Sequence, residues 1–479
     1  MSQAIPPRLL RPGHDAGDRI RLANSASIIE TETSSAAEFA RWWDELSSNT
    51  VFEVERVPFT SLRKWEFHWE TGNLVHDTGR FFSVQGLRVR SPGGPGLEWT
   101  QPIINQPEVG ILGLLVKEFD GVLHCLVQAK AEPGNINAIQ VSPTVQATRS
   151  NYTGAHGGES VPYLEYFTDS RRAHVLVDVL QSEQGAWFYR KRNRNMVVEV
   201  TGPVPVAPGY RWIALGHLRR IAAADNMMNM DLRTVFACIP FEQCSEVLAQ
   251  HTVDPFQFAL ARSLALDAGA LHTTTEVMSW FTDIKSRDIT SAIPMPLRDI
   301  RDWHRTDHAI VHDSGKYFSV IAAAVRAGRR EVVEWTQPFF EPQSIGLIAF
   351  LVKRFSGVLH VLAHARVEPG FLDIVELAPT VQCAPENYAD WPAEHRPPFL
   401  DAVLRAVPQQ IRYDAIQSEE GGRFFRAQNR YVIVEIDREP DIPADYRWMT
   451  IGQLTGLLEH SHYLNVQARS LIACLNALW

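Results

Sequence analysis

Apolar and polar positions alternate along several short runs of the chain, and in other stretches the apolar residues recur with helical spacing. The alternating runs at residues 75–84, 110–116, 122–131 and 196–200 predict strands, since Pro and Gly turns separate them. Stretches rich in Leu, Ala and Met, at about residues 215–239 and 451–478, predict helices. Ser35 with Glu38, and Thr273 with Glu276, have capping-box spacing and predict helix starts. Because strands and helices mix without a βαβ rhythm, we expect an α+β fold rather than a doubly wound sheet.

The sequence contains two copies of one unit. His76 to Val84 returns 236 residues later as His312 to Val320, and the same offset relates the Glu-Trp-Thr-Gln-Pro tracts at 98–102 and 334–338. Between residues 110–152 and 346–388, 20 of 43 positions are identical without a gap, so chance is excluded and the chain is a tandem duplication. We predict an N-terminal extension over 1–34, a first half over 35–240, a connector over 241–272 and a second half over 273–479.

Composition limits the class of protein and its partners. The 479 residues are 45% apolar and 21% charged, which is typical of a soluble globular protein. The formal net charge of −9 argues against nucleic acid as the main partner. The apolar runs are too short to span a bilayer, and the N-terminus lacks the apolar core of a secretory signal, so we predict no membrane association and a cytoplasmic location. Five cysteines form no CxxC pair, which disfavours a disulfide framework and a zinc site.

The strand at 124–132 carries the first set of candidate residues. Because side chains alternate along a strand, its polar residues share one face while Cys125 and Val127 lie on the other. In the two copies these polar residues are His124, Gln128, Lys130 and Glu132, and His360, His364, Arg366 and Glu368. A solvated sheet surface would give the same pattern. The alternative is a site, because an imidazole, a cation and a carboxylate in line are what proton transfer and anion stabilisation require.

Two further sets have both a structural and a functional interpretation. A basic cluster follows aromatic residues and forms either an exposed turn or a diphosphate site; it consists of Arg190, Lys191, Arg192 and Arg194, with the thinner counterpart Arg426 and Arg430. Polar side chains beside the repeated Pro-Thr-Val-Gln tract either satisfy a turn or line a sugar pocket. They are Thr144, Gln146, Asn151 and Tyr152, repeated as Thr380, Gln382, Asn387 and Tyr388. Trp99 and Trp335 are further candidates for the site, although core packing is the default interpretation of both.

Three tracts carry a family resemblance that covers nearly the whole chain. The segments at residues 128–135, 142–152 and 181–185 resemble those of the NDP-hexose 2,3-dehydratases. The resemblance implies two Nudix-like α+β halves, a homodimer, and elimination of water across C2 and C3 of a dTDP-linked 4-keto-6-deoxyhexose. It further implies a reaction without cofactor or metal, and a product that a 3-ketoreductase consumes. A Nudix metal box is not complete, because Trp335 and Ala322 stand where it needs glutamates.

The resemblance gives the candidate residues roles in this elimination. We expect Glu132 or His124 as the base at C3, Lys130 as enolate stabiliser or acid, and Tyr152 as an alternative acid. Arg149, Arg190 and Arg194 would bind the diphosphate, with Trp99 against the thymine. The second half offers Glu368, His360, His364, Arg366 and Tyr388 in corresponding places. We favour the first half for the chemistry because its basic cluster is fuller.

Two other functions fit the same residues. A non-catalytic nucleotide-sugar-binding protein would use both polar strands only for recognition. A cofactor-free epimerase would form the same enolate without losing water.

Overall fold

The computed structural model describes residues 16–91, 98–148, 161–250, 252–328 and 334–479. Within these residues the two halves contain twelve strands each, in the same order. In the first half they are β1 Phe52–Val57, β2 Trp65–Phe67, β3 Leu74–His76, β4 Ser83–Arg90, β5 Glu98–Asn105, β6 Gly110–Phe119, β7 Val122–Ala131, β8 Ile139–Ser142, β9 Val145–Ala147, β10 His174–Ser182, β11 Arg192–Val200 and β12 Tyr210–Ala214. In the second half they are β13 Ser291–Met295, β14 Trp303–Arg305, β15 Ala309–His312, β16 Phe318–Ala327, β17 Glu334–Pro342, β18 Gly346–Phe355, β19 Val358–Val367, β20 Val375–Ala378, β21 Val381–Cys383, β22 Ile411–Ser418, β23 Gln428–Glu435 and β24 Tyr446–Met449.

Helices cover and connect these sheets. The α-helices are Ala16–Ser27, Ala36–Asn49, Glu165–Thr168, Leu215–Ile221, Met230–Ala237, Ser245–Gln250, Pro255–Ser263, Thr274–Arg287, Leu400–Leu404, Ile451–Leu457 and Val466–Leu475. Ser35 and Thr273 cap helix N-termini as predicted, each accepting the backbone N–H three residues later. The closing helical stretch of each half is broken into two helices, and the second of each pair begins at a capping asparagine, Asn229 or Asn465.

Each half is built on a seven-stranded mixed sheet. In the first half the order is β10-β11-β6-β7-β12, with β8 also paired to β7 and β9 to β6. The second half repeats it as β22-β23-β18-β19-β24, with β20 and β21 in the same places. The pairs β6–β11 and β18–β23 are parallel, and the other pairs in these sheets are antiparallel. The α+β class and the two repeated halves are therefore confirmed.

The core lies on both faces of each large sheet. Along β7, residues 122–127 are all buried. Cys125 and Val127 belong to one apolar cluster, while Leu126 on the opposite face belongs to a second cluster that includes Trp212. The interpretation of one strand face as solvated is therefore wrong for the first six residues of β7. Only the polar end of the strand, from Gln128 onward, is partly exposed.

The halves exchange strands in two smaller, five-stranded sheets. β1 of the first half pairs antiparallel with β16 of the second, from Phe52 opposite Ala327 to Val57 opposite Ala322. Reciprocally, β13 of the second half pairs with β4 of the first, from Ser291 opposite Arg90 to Met295 opposite Gly86. Each small sheet is thus completed by a strand from the other half, so neither half is structurally independent.

Two fully buried arginines also connect the halves, because each donates hydrogen bonds to carbonyl groups of both. Arg233 donates to the carbonyl oxygens of Met228 and Ser418, each at 2.6 Å, and so crosses into the second half. Its counterpart Arg469 donates to the carbonyl oxygens of Leu464 and Ser182, which crosses back into the first half. Each guanidinium satisfies carbonyl groups that burial would otherwise leave unpaired, so the two arginines hold the halves in one relative position.

No helix among the described residues is long and apolar enough to cross a membrane.

Glu376 is a buried carboxyl group at the interface between the halves, and the equivalent position of the other half carries an uncharged amide. The hydroxyl of Ser182 donates to Glu376 Oε2 at 2.6 Å, and burial raises the pKa of Glu376 from its usual 4.5 to about 7. At the corresponding position of the other half stands Gln140, whose Nε2 donates to Ser418 Oγ at 2.7 Å. The free energy of unfolding should therefore fall as pH rises from 4.5 to 7, because the unfolded chain releases this proton first.

Glu376→Gln should remove that pH dependence. The variant should match the wild type below pH 4.5 and exceed its stability above pH 7 by up to about 3 kcal/mol, since one pKa unit corresponds to about 1.4 kcal/mol. Urea unfolding between pH 4 and 8 measures the difference, and Gln140→Glu, which buries a second carboxyl group at the equivalent position, should make stability fall more steeply as pH rises. A stability difference that does not change with pH would contradict the prediction.

Candidate active site

A polar cavity of about 270 Å³ lies in the first half, at the carboxyl end of β7. The second half contributes to its wall through β17 and the loop that follows β22. The lining side chains that carry charge are Arg80, Glu108, Lys130, Glu132, Glu183, Lys191, Asp231, Glu420 and Arg423. The cavity is therefore a composite of both halves and contains an unusual concentration of ionisable groups.

Glu132 lies just beyond the end of β7 and is held by two neighbours on the same wall. Gln146 Nε2 donates to Glu132 Oε1 at 2.6 Å, and Lys130 Nζ lies 3.6 Å from the same oxygen. Asn229 in turn donates to Gln146 Oε1 at 3.3 Å, which orients the amide. Strand alternation places Lys130 and Glu132 on one face, and the Pro-Gly turn ends the strand there. The carboxyl group is thus fixed beside an ammonium group in a shielded position.

Three more ionisable side chains of the first half surround this pair. Asn193 Nδ2 donates to Glu183 Oε1 at 2.6 Å, and Lys191 Nζ donates to the carbonyl oxygen of Glu108. Asp231 lies in the first turn of the helix Met230–Ala237. All three, like Glu132, are no more than 7% exposed. They come from different elements and converge only in the folded chain.

The second half closes the cavity with the loop that follows β22. The backbone N–H of Gly134 donates to the carbonyl oxygen of Gly421 at 2.6 Å, and the N–H of Arg426 donates to Gly134 O at 2.7 Å. A Cβ on Gly134 would lie 1.7 Å from the carbonyl oxygen of Phe424, so only glycine permits this approach. The loop brings Glu420 and Arg423 to the cavity, and Arg423 also donates to Gln106 Oε1 at 3.2 Å.

Burial perturbs the charges of the cavity. It raises the pKa of Glu420 to about 7, against the opposing effect of Arg423. It raises the pKa of Asp231 well above its usual range, and the neighbouring charge of Glu183 adds to the shift. Desolvation also lowers the pKa of Lys191 to about 8. Groups that titrate near neutrality in a cavity are suited to proton transfer.

Three carboxyl oxygens on this wall have no hydrogen-bond partner among the described residues. They are Glu183 Oε2, Asp231 Oδ1 and Glu420 Oε2, and all are shielded from solvent. Buried acceptors are nearly always satisfied in native proteins, so the cavity suits a ligand that brings several hydroxyl donors.

The corresponding positions of the second half carry far less charge. Arg366 Nε donates to Glu368 Oε1 at 2.9 Å and Gln382 Nε2 donates to the same oxygen at 2.6 Å, which repeats the Lys130–Glu132–Gln146 arrangement. Arg80 and Glu183 have charged counterparts at an offset of 236, Lys316 and Glu419, but four of the other charged residues are replaced by neutral ones. Lys191 corresponds to Ala427, Asp231 to Gln467, Glu420 to Gln184 and Arg423 to Trp187. Among the described residues, the first-half cavity therefore has more ionisable groups than the equivalent positions of the other half.

The candidate histidines lie away from the cavity lining. His124 is fully buried, with Nε2 2.8 Å from Thr31 Oγ1 and Nδ1 2.9 Å from the carbonyl oxygen of Val122. His360 repeats the contact with a backbone carbonyl, at Val358. Burial lowers the pKa of both imidazoles. His364 stacks on Tyr446 with 4.2 Å between ring centroids and pairs with Asp445 at 3.0 Å.

Two candidate threonines tie strands together. Thr144 Oγ1 donates to the carbonyl oxygen of Leu126 and accepts the N–H of Leu115 at 2.8 Å. Thr380 makes the same two contacts, with Leu362 and Leu351. Gln128 is partly exposed and pairs through β7 with Ser142 and Tyr210.

The candidate arginines have other contacts. Arg194 is bidentate to Asp178 and Arg430 to Asp414, in equivalent pairs. Arg190 and Arg426 are exposed and lie over the rings of Tyr189 and Phe425. None of these four lines the polar cavity.

The remaining candidates divide between the cavity and other places. Trp335 lines the cavity of the opposite half, whereas Trp99 does not. Tyr388 is partly buried against Trp391, and Asn387 Oδ1 accepts the N–H of Tyr317 at 3.4 Å. Arg149, Asn151 and Tyr152 lie outside the described residues.

Sequence reasoning missed Glu183, Lys191, Asp231, Glu420 and Arg423 as members of one site. Alignment of the two copies could have indicated all of them except Glu183, because each of the other four is ionisable in one copy and neutral at the equivalent position of the other. Among the described residues, no group of three or more His, Cys, Asp or Glu side chains forms a metal site.

A larger cavity of about 740 Å³ lies against the apolar cluster that contains Val116, Cys125 and Val197 of the first-half sheet. Apolar side chains, including Leu123, Cys125 and Leu458, form most of its lining. It shares no lining residue with the polar cavity and lacks a comparable cluster of charges.

The electrostatics of the polar cavity can be measured through Lys191. Competitive amine labelling read by mass spectrometry should give a reactivity midpoint for Lys191 at about pH 8. Glu183→Gln should lower this midpoint, because the Glu183 charge raises the Lys191 pKa. Asp414→Asn, which changes an exposed carboxyl group paired with Arg430 in the other half, should leave it unchanged. The opposite order of the two variants would show that Glu183 does not face Lys191.

Comparison with known proteins gives a consistent result. The family model described as NDP-hexose 2,3-dehydratase matches residues 36–239 and 274–475. A Saccharopolyspora spinosa protein named dTDP-4-dehydro-6-deoxy-alpha-D-glucopyranose 2,3-dehydratase is 54% identical, over 92% of this chain and 91% of its own. Proteins of the same name from Amycolatopsis orientalis and Streptomyces violaceoruber are 47% and 44% identical, over 100% and 92% of this chain and 98% and 97% of their own. The chain belongs to the NDP-hexose 2,3-dehydratase family.

Proposed function

We propose that this chain removes water across C2 and C3 of dTDP-4-keto-6-deoxyglucose, and that the first-half cavity performs the reaction. The unpartnered carboxyl oxygens of Glu183, Asp231 and Glu420, in a cavity that also holds Glu132 beside Lys130, carry the proposal. A hexose supplies hydroxyl donors to such acceptors. Three relatives that carry the name of this activity support the assignment.

The reaction begins with the loss of the C3 proton. The ketone at C4 acidifies that proton, because the resulting electron pair delocalises onto O4 as an enolate. The enolate then expels the C2 hydroxyl, and the enol product rearranges to a 3,4-diketo-2,6-dideoxy sugar. The protein must supply a base at C3, a positive group near O4 and an acid at the C2 oxygen.

Glu132 is the proposed base and Lys130 the proposed stabiliser of the enolate. Glu132 lines the cavity and is oriented by Gln146, whereas His124 lies in the core with both ring nitrogens engaged. Lys130 Nζ, 3.6 Å from the carboxyl oxygen, can oppose the charge that develops on O4. Among the candidate bases on β7, we therefore favour Glu132.

The nucleotide is proposed to extend from the cavity toward Phe81, Arg80 and Trp335. Phe81 is 44% exposed, and both aromatic rings line the cavity, where a base can stack on them. The exposed Arg80 lies on the same lining, where a guanidinium suits a diphosphate. Trp335 thus takes the place first expected for Trp99, while Arg149, Asn151 and Tyr152 stay predictions.

Several finer expectations stay proposals with this function. They are the Nudix-like character of the halves, the homodimer, the cytoplasmic location, the use of no cofactor and the transfer of the product to a 3-ketoreductase. The last follows from chemistry, because a vicinal diketone is reactive and a reduction at C3 would remove it.

Glu132→Gln tests both the activity and the choice of half. In deuterated water, the wild type should remove the C3 proton of dTDP-4-keto-6-deoxyglucose, lose the mass of water and take up deuterium at C2 of the product when the enol ketonises. Glu132→Gln should lower the rates of dehydration and of C3 exchange by about 10²- to 10⁴-fold, because the base is gone. Mass spectrometry of the product, trapped by reduction, measures dehydration, and mass spectrometry of the recovered substrate measures exchange at C3.

The matched control is Glu368→Gln, which changes the same position of the second half. It should retain turnover, and the opposite result for the two variants would move the chemistry to the second half. A wild type that binds the sugar without exchange would be a binding protein, and one that exchanges without losing water would be an epimerase.

A further inference from the structure

Glu420 belongs to the second half but reaches the cavity of the first. Its loop is docked by the two backbone hydrogen bonds at Gly134, two residues beyond Glu132. A Cβ on Gly421 would lie 2.9 Å from the Cβ of Glu132, so the backbone beside Glu420 packs directly on the residue that carries the proposed base. Glu420 and Glu132 thus line the same cavity from different halves of the chain. The elimination needs an acid in addition to the base, and Glu420 lies where that acid is required.

The carboxyl group of Glu420 has one satisfied oxygen and one that is not. Oε1 accepts the N–H of Gly422 at 2.9 Å, while Oε2 is shielded from solvent and has no partner among the described residues. The charged groups that face it are Arg423 on its own loop, Glu132, Glu183, Asp231 and Lys191. Burial raises the pKa of Glu420 to about 7, and the charges of Glu132 and Glu183 add to the shift against that of Arg423.

The second half has no such group at the equivalent place. The residue 236 positions earlier is Gln184, whose Nε2 donates to Glu419 Oε2 at 2.8 Å. An amide cannot release a proton to a leaving group. The difference between the copies at this position is therefore a difference in chemistry.

We propose that Glu420 is the general acid that protonates the departing C2 hydroxyl in the first-half cavity. This inference rests on the proposed function. Asp231, the other acid with a raised pKa, is only 4% exposed, whereas Glu420 as a residue is partly exposed, so its shielded carboxyl group lies nearer the solvent that must replace the proton.

The electrons and protons balance over one turnover. Glu132 takes the C3 proton, and the C–H electron pair moves into the C3–C4 bond as O4 gains charge. The O4 carbonyl re-forms, the pair forms the C2–C3 double bond and the C2–O bond breaks. The proton of Glu420 joins the departing oxygen to give water. Glu132 then returns its proton to solvent, Glu420 regains one, and the enol ketonises without net proton uptake.

Glu420→Gln separates proton abstraction from the loss of water. With dTDP-4-keto-6-deoxyglucose in deuterated water, the recovered substrate should gain deuterium at C3 at close to the rate at which the wild type removes the C3 proton. Its dehydration rate should fall by about 10²- to 10⁴-fold, since the departing oxygen receives no proton. Glu132→Gln should lose both reactions, and Glu420→Asp, which keeps an acid on a shorter side chain, should recover part of the dehydration. Calorimetric titration with dTDP establishes that each variant is folded and binds.

Three results would overturn the inference. The first is a normal dehydration rate in Glu420→Gln, and the second is an equal loss of exchange and dehydration in a variant that still binds dTDP. The third is selective loss of dehydration in Asp231→Asn but not in Glu420→Gln. A wild type that neither exchanges nor dehydrates would instead refute the proposed function itself.

Discussion

Gly134 and Gly421 lie so close that no side chain fits between their segments, and the hydrogen bond between their backbones joins the two halves at the polar cavity. Gly370 and Gly185 make the equivalent contact, at 2.7 Å. These contacts place the loop of one half over the sheet end of the other. The cavity, its charges and its perturbed pKa values all depend on this docking.

A cluster of buried ionisable groups carries a desolvation cost that the rest of the fold must offset. Contacts between the two halves contribute to that offset. Arg233 and Arg469 satisfy carbonyls across the interface, and the exchanged strands β1 and β13 complete the small sheets. The scaffold is repeated in both halves, whereas the costly charges are concentrated in one. A stable symmetric frame thus tolerates an asymmetric site.

The sequence predicted those parts of the fold and site that are local. Capping at Ser35 and Thr273 and the shared face of Lys130 and Glu132 depend only on residues near one another in the chain, and the duplication is visible in the sequence without any contact being known. The burial of His124 does not, because it depends on a contact with Thr31 and on a second apolar cluster over the strand. Strand alternation alone cannot distinguish a solvated face from one covered by distant segments. For the same reason the sequence did not predict that both halves line the polar cavity, since Glu420 lies 288 residues beyond Glu132 in the chain.

The strand exchange between the small sheets also has an evolutionary consequence. A single half, with its β1-like strand unpaired, would have completed its sheet by trading that strand with an identical copy, and the result would be a dimer with two identical clefts. Joining the two copies in one polypeptide freed each cleft from the requirement of sameness. A substitution in the loop of one copy, such as glutamine for glutamate, then no longer changed the loop of the other copy. One cleft could therefore specialise while the other kept a structural role.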